Sequence, residues 1–305
     1  MKTDSTKSSF FSWKFFLILF LAIFGFKFFY ESKKELKPVQ DSIGKIVISG
    51  QIMDSTEINK ILNDVLHDVK IKALIIEINS PGGAVIPSYE IYDQIRKISE
   101  NNKPVVALMK SVAASGGYLI SIASDHIIAH PSTLTGSIGA IFYSFDLSNL
   151  MDKVGVKQKI FRSGDLKALP SPGEKITPEA NKILTHFAEE TKNQFLNLVL
   201  EKRKITDTNI INQISRSAAY IGTDAKNIGL IDELGNIDAA INWLKSVKKI
   251  DLPIFEINTD DKKNKIWRML KSKLHLENTT DLILKNVIEK LNLDKKGGIY
   301  LLSNI

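Results

Sequence analysis

The chain has 305 residues, no cysteine, 44% hydrophobic residues and a formal net charge of +7. That length holds one large or two ordinary domains, and the apolar fraction excludes a chain disordered throughout. The lack of cysteine excludes a disulfide scaffold, a Cys-ligated zinc site, an iron–sulfur cluster and thiol catalysis.

Residues 1–40 carry 7 basic and 3 acidic residues, 246–305 carry 12 and 8, and 41–245 carry 22 and 23. The body is nearly neutral, so a nucleic-acid-binding core with a basic face is not expected. The excess at both ends suits an anionic surface such as a membrane.

Nine of the 15 Phe lie between Phe10 and Tyr30, and the run from Phe15 to Phe26 is uncharged. At about 1.5 Å per residue this segment is roughly 30 Å long, enough to span a bilayer. Lys14 and Lys27 can snorkel at its ends, and Trp13 and Tyr30 suit the interfaces. A cleaved signal peptide or a buried core helix are the competing readings. No pair of small residues for a peptidase follows the apolar run, so an uncleaved signal anchor is expected. Lysines on both sides leave its orientation ambiguous by charge. A charged linker then runs to Gln40.

From Gly44 short β runs alternate with helical runs. Lys45–Ser49 predicts a strand. Asp54-Ser-Thr-Glu57 resembles a capping box, followed by Ile58, Ile61, Leu62, Val65 and Val69 at helical spacing. Ala73–Ser80 reads as a buried parallel strand, Ala84–Glu100 as a helix and Lys103–Met109 as the next strand. Gly116–Ser124 predicts a short helix and His126–His130 a strand. Thr177 caps a long helix that starts at Pro178 and ends near Arg203, with Leu184, Phe187, Ala188, Thr191, Phe195 and Leu198 on one face. Residues 222–235 read as loop-helix-loop, and Ile237–Val247 as a last helix. The alternation predicts an α/β layered domain.

Two turns could carry chemistry. Asn79-Ser-Pro-Gly-Gly83 joins a strand to a helix, and its glycines leave backbone amides able to cradle an anion or a developing oxyanion. Read alone, such a turn is more often only a turn. In Ser111-Val-Ala-Ala-Ser-Gly-Gly-Tyr118, Ser115 falls at a helix N-terminus among residues too small to cover it, where the helix dipole favours negative charge. Serine is also a preferred N-cap, so the motif alone does not decide.

A nucleophilic serine needs a base. Of five histidines, His126 and His130 bracket a strand and Asp125 adjoins His126, which makes a Ser-His-Asp triad conceivable. The other candidate is Lys167 in Ser163-Gly-Asp-Leu-Lys-Ala-Leu-Pro170. A lysine serves as a base only when neutral, a form that burial favours.

NSPGG (79–83), SVAASGGY (111–118), TGSIGAI (135–141), RSGDLK (162–167) and GLIDELG (229–235) follow in this order. With them the chain resembles the signal peptide peptidase A family of membrane-anchored Ser-Lys proteases, in its short single-domain form, from about Ile43 to Lys245. The resemblance implies Ser115 as nucleophile, Lys167 as general base and Ser137 as the residue that orients the lysine. It implies Gly83 and Gly116 as oxyanion-hole amides, with Gly82 the alternative to Gly83. Ala168-Leu169 after the lysine is not typical, and neither histidine matches a catalytic position. No cofactor or metal is implied.

The implied fold is α/β, a Clp protease/crotonase-like spiral of ββα units, assembled as a homo-oligomeric ring in which Ser and Lys come from neighbouring subunits. Expected domains are 1–40 (cytoplasmic N-terminus, anchor, linker), 41–250 (protease) and 251–305 (basic helical extension). The extension could lie on the membrane, pack between subunits or stay solvated. The expected function is a serine endopeptidase acting on apolar peptides, in particular signal peptides left in the membrane. The expected location is a bacterial inner membrane, single-pass, with the catalytic domain on the periplasmic or extracytoplasmic side. A crotonase-like acyl-CoA enzyme and a non-catalytic, membrane-tethered peptide-binding scaffold are the other readings.

Overall fold

Alternating apolar runs become alternating strands and helices. The computed structural model describes residues 37–257. The anchor expected at 10–30 and residues 258–305 of the basic extension lie outside them. Among the described residues no helix is long and apolar enough to cross a membrane.

The first half of the body runs β1 (Ser42–Ser49), α1 (Thr56–His67), β2 (Ile71–Ser80), α2 (Val85–Glu100), β3 (Val105–Ala114), α3 (Gly116–Ser121), β4 (His126–Ala129), β5 (Leu134–Gly136). The second runs α4 (Ser148–Lys153), α5 (Pro178–Arg203), α6 (Thr208–Ile214), β6 (Ala219–Ile221), α7 (Gly222–Asn227), β7 (Glu233–Leu234), α8 (Ile237–Ser246), β8 (Ile254–Glu256).

The strands form one mixed sheet in the order β6-β5-β3-β2-β1-β8, with β4 beside β3 and β7 beside β4. Pairing is parallel except between β5 and β6. Ile46 pairs with Ile76, and Ile76 with Ala107. Side chains alternate faces along a strand, so neighbours in sequence enter different cores. Ile76 and Ala107 pack with Leu62, Ile91, Ile95 and Val199 on the face covered by α1, α2 and α5. Ile75, Val106 and Leu108 pack with Ala240 and Leu244 of α8 on the other. Coverage of both faces explains why β2 and β3 read as continuous apolar runs.

The capping box expected at residues 54–57 does not form. The helix begins after Ser55, which places Glu57 at the second helical position, one residue short of the reciprocal partner's place. The Ser55 hydroxyl bonds Glu90 instead, and Asp54 Oδ1 accepts from the Thr56 N–H at 3.1 Å. The start of α5 is as expected: Pro178 opens it and the Thr177 hydroxyl accepts from the Ala180 N–H at 3.1 Å. Its expected apolar face, however, is buried only near its end. Phe195, Leu196 and Val199 join the core, whereas Phe187 is 52% exposed. That end is pinned by Arg203, whose guanidinium bonds Asp232 at 2.6 and 3.0 Å and the Gly229 carbonyl at 2.9 Å. Burial opposes the Arg203 charge, but Asp232 outweighs it and raises its pKa.

Candidate active site

β3 runs farther than its apolar stretch predicts. It continues past Lys110 and Ser111 to Ala114, because Val112, Ala113 and Ala114 pair with Leu134, Thr135 and Gly136 of β5. Ser115 follows directly, and its N–H donates to the Gly136 carbonyl at 2.8 Å. Its backbone turns sharply there, with φ 51° and ψ −121°. L-residues rarely adopt that conformation, and it persists only where surrounding structure holds it. The turn presents Ser115 half-buried, ahead of α3. Since α3 is six residues long, its dipole adds little. Its unpaired leading N–H groups matter more.

Ser137 extends β5 as Ser115 extends β3. It too has positive φ, 52°, and its N–H is held by the Ala218 carbonyl at 2.9 Å. Among the described residues neither serine hydroxyl meets a hydrogen-bond partner.

The glycine turn lies against this pair. Gly82 has φ 99°, and a Cβ there would stand 2.6 Å from the Gly116 nitrogen and 2.9 Å from Ser115 Cβ. A Cβ on Gly83 would stand 2.1 Å from the Ile52 carbonyl oxygen. Close approach, then, requires both glycines. Ile52 forms an isolated bridge with Gly83: its N–H donates to the Gly82 carbonyl at 2.9 Å and its carbonyl accepts from Ala84 at 2.7 Å. The Gly82 N–H donates to Ser80 Oγ at 3.1 Å. Among the described residues the N–H groups of Gly83 and Gly116 meet no acceptor. Two uncommitted amides thus flank Gly82, beside a free serine hydroxyl. Such a cluster can bind an oxyanion that forms on a carbonyl attacked by that hydroxyl.

The structure brings Ser115, Ser137, Gly82, Gly83 and Gly116 together. It does not join Lys167 to them by any hydrogen bond within the chain. Lys167 is exposed, and among the described residues its ammonium has no partner. It belongs to the stretch between β5 and α5, where α4 buries no residue. Ile141, Tyr143, Phe145, Leu150, Val154 and Phe161 of this arm are all exposed, Phe161 to 95%. So many exposed apolar side chains on one segment suit an interaction surface. The lysine loop is nonetheless ordered by its own contacts. Arg162 bonds Glu174 at 2.6 Å and the Asp165 carbonyl at 3.2 Å, and the Lys167 N–H donates to Gly164 at 3.1 Å.

The histidines lie elsewhere. His126 pairs with Val106, nine residues before Ser115 along β3, a separation of roughly 30 Å. It stacks on Trp243 at 4.7 Å and bonds Glu233 at 3.1 Å. His130 is exposed and accepts from the Ser132 N–H. The conceivable Ser-His-Asp triad through His126 is therefore not assembled. Sequence reasoning also missed Ile52 and Ser80. Ile52 acts through its backbone, which leaves no residue-type signal, and Ser80 was visible in NSPGG but had no evident role.

Residues 97–251 match the family model described as peptidase family S49, and residues 38–133 match that of Clp protease. Both ranges include Ser115, and the first also includes Ser137 and Lys167. The chain is 34% identical over 272 residues to a protein carrying the name signal peptide peptidase SppA in Enterococcus faecium, covering 82% of this chain and 77% of that one. It is 32% identical over 242 residues to a protein of Synechocystis sp. described as a protease, covering 78% and 86%. With protease 4 of Salmonella typhi it shares 34% identity over 227 residues, 70% of this chain and 36% of that one.

Proposed function

Because the chain belongs to peptidase family S49, a family of serine-type proteases with a Clp protease-like α/β fold, we propose that it is a membrane-anchored serine endopeptidase. Its substrates are apolar peptides, above all signal peptides left in the membrane after secretory proteins are cleaved. The observation that carries this reading is the half-buried Ser115 hydroxyl, unbonded among the described residues, beside the uncommitted Gly83 and Gly116 amides.

Neutral Lys167 removes the Ser115 proton, and Oγ attacks the peptide carbonyl carbon. The two amides receive the developing oxyanion. Protonated Lys167 then passes its proton to the leaving amine, and water hydrolyses the acyl-enzyme. Ser137 accepts or donates a hydrogen bond that orients the lysine. Gly83 rather than Gly82 supplies the first amide, since the Gly82 N–H is taken by Ser80.

The exposed apolar arm that carries Lys167 supports a homo-oligomeric ring in which one subunit's arm covers its neighbour's Ser115. Burial there would favour the neutral amine that a base requires. Within such a ring each subunit is a spiral of ββα units. The apolar segment 10–30 anchors the ring as a single pass in a bacterial inner membrane, with the catalytic body outside the cytoplasm.

A serine-directed fluorophosphonate tests this. It is expected to label Ser115 in the assembled protein, with labelling lost in Ser115→Ala and strongly slowed in Lys167→Ala. An assembled protein that takes no label would instead be the non-catalytic scaffold.

A further inference from the structure

We propose that Ser80 is a positioning residue for the oxyanion-binding amides: its buried hydroxyl holds the Gly82 N–H and so keeps the Gly83 N–H turned to the reacting carbonyl. This rests on the serine-protease reading above.

The backbone donors of Pro81-Gly82-Gly83-Ala84 can be accounted for one by one. Pro81 has no N–H. The Gly82 N–H goes to Ser80 Oγ at 3.1 Å. The Ala84 N–H goes to the Ile52 carbonyl at 2.7 Å. Only Gly83 is left with its N–H uncommitted. In a trans peptide the C=O and the following N–H point opposite ways. The Ile52 N–H holds the Gly82 carbonyl, so the Gly83 N–H is aimed away from Ile52.

The two bonds of the Ile52 bridge anchor the Gly83 side of a segment with two adjacent glycines. Glycine rotates through both signs of φ at little steric cost, so anchors on that side alone leave the Pro81–Gly82 peptide free to swivel. Ser80 anchors the other side. It is fully buried, and a Cβ on Gly117 would stand 2.5 Å from its carbonyl oxygen. Nothing else among the described residues accepts the Gly82 N–H, and the bond is buried. Without the hydroxyl, that N–H would rotate in search of an acceptor and carry the next peptide with it. The Gly83 N–H would then leave its place beside Gly116. Ser80 makes no hydrogen bond to Ser115, so it acts on the reaction only through Gly82 and Gly83.

The test uses the full chain in detergent, with Ser80→Ala and Ser80→Cys. A fluorogenic apolar peptide gives kcat and KM, and a peptide boronate, which forms a tetrahedral adduct on serine, gives oxyanion-site affinity. Loss of an oxyanion donor outright costs about 100- to 1,000-fold in kcat. Ser80→Ala, which misplaces a donor, is expected to lose about 10- to 100-fold in kcat with KM within about twofold. Boronate affinity should fall in step with kcat. Ser80→Cys, with a weakly accepting sulfur, should fall between. Wild-type kcat and boronate affinity in Ser80→Ala would overturn the proposal, as would a loss of rate that only matches the unfolded fraction. Should Ser80→Ala not fold, amide hydrogen exchange in the unaltered protein decides: slow at Gly82 and fast at Gly83 supports it, equal rates overturn it. Failure of the unaltered protein to label at Ser115 would remove the protease reading itself, a result distinct from either.

Discussion

Ser115 and Ser137 stand next to each other where β3 and β5 cease to pair, and both have a φ that L-residues avoid, 51° and 52°. Each directly follows a residue of the last ladder pair, Ala114 with Gly136. Two strained serines in register, both hydroxyls unbonded among the described residues, point to a site held in place by the sheet rather than by local preference.

Glycine at either position should therefore stabilise the protein. Strain relief of about 1–3 kcal/mol, less about 0.5–1 kcal/mol for glycine's extra unfolded-state freedom, leaves a gain of about 1 kcal/mol. Denaturant titration of Ser115→Gly and Ser137→Gly measures it. Ser115→Gly should be inactive and Ser137→Gly slower than the parent. A loss of stability in both would mean that the hydroxyls hold the turn.

Mixed assemblies address the origin of the base. Ser115→Ala and Lys167→Ala subunits, each inactive alone, should regain activity when co-assembled, because some interfaces then hold an intact pair. No recovery in verified mixed rings would place both groups in one subunit. The recovered rate, like that of the parent, should climb with pH, as a lysine base must be neutral. A flat profile from about pH 5 to about pH 10 would argue against Lys167 as the base.

Gly82→Ala should lose at least about 100-fold in kcat and cost about 1–3 kcal/mol of stability, since it sits at φ 99° and its Cβ would press on the Gly116 nitrogen 2.6 Å away. Gly83→Ala meets the Ile52 carbonyl oxygen at 2.1 Å and should cost about 1–3 kcal/mol of stability as well. Thermal melts beside kcat separate the two effects.

Acid should find a weak point at Glu77. Burial alone would raise its pKa, but hydrogen bonds and charge from Lys110 and Lys45, at 2.9 and 3.2 Å, outweigh it and hold the carboxyl below its ordinary 4.5. A depressed folded-state pKa contributes stability above the unfolded value and loses it as pH falls through the folded one. The Tm advantage of the parent over Glu77→Gln should thus be constant above about pH 5.5 and shrink below about pH 4.5. An advantage that persists at about pH 3 would assign it to packing rather than charge.

The parts of the fold readable in advance are those set by local chemistry. The apolar run of β2, the spacing of Ile91, Ile95 and Ile98 in α2, and the Thr177-Pro178 start of α5 each carry their own signal. The parts that were not readable depend on distant partners. β3 outruns its apolar stretch because β5 pairs with residues 112–114. The front of α5 looks amphipathic but finds no core, as Phe187 shows. In the site, the serine and glycine motifs were visible by type. Their mutual placement was not, since the Ile52–Gly83 bridge and the Ala114–Gly136 pair join segments far apart in sequence.

The bridge has a further consequence for substitution. Ile52 holds the glycine turn with its backbone N–H and carbonyl, while its side chain only fills core space. Other apolar residues of similar size should serve there, so the position can drift among aliphatic types with catalysis intact. Proline alone among apolar residues lacks the N–H that the Gly82 carbonyl needs. A library of apolar residues of similar size at position 52 should therefore be broadly tolerant with one sharp exclusion, proline, a pattern that comparing residue types alone would mistake for indifference.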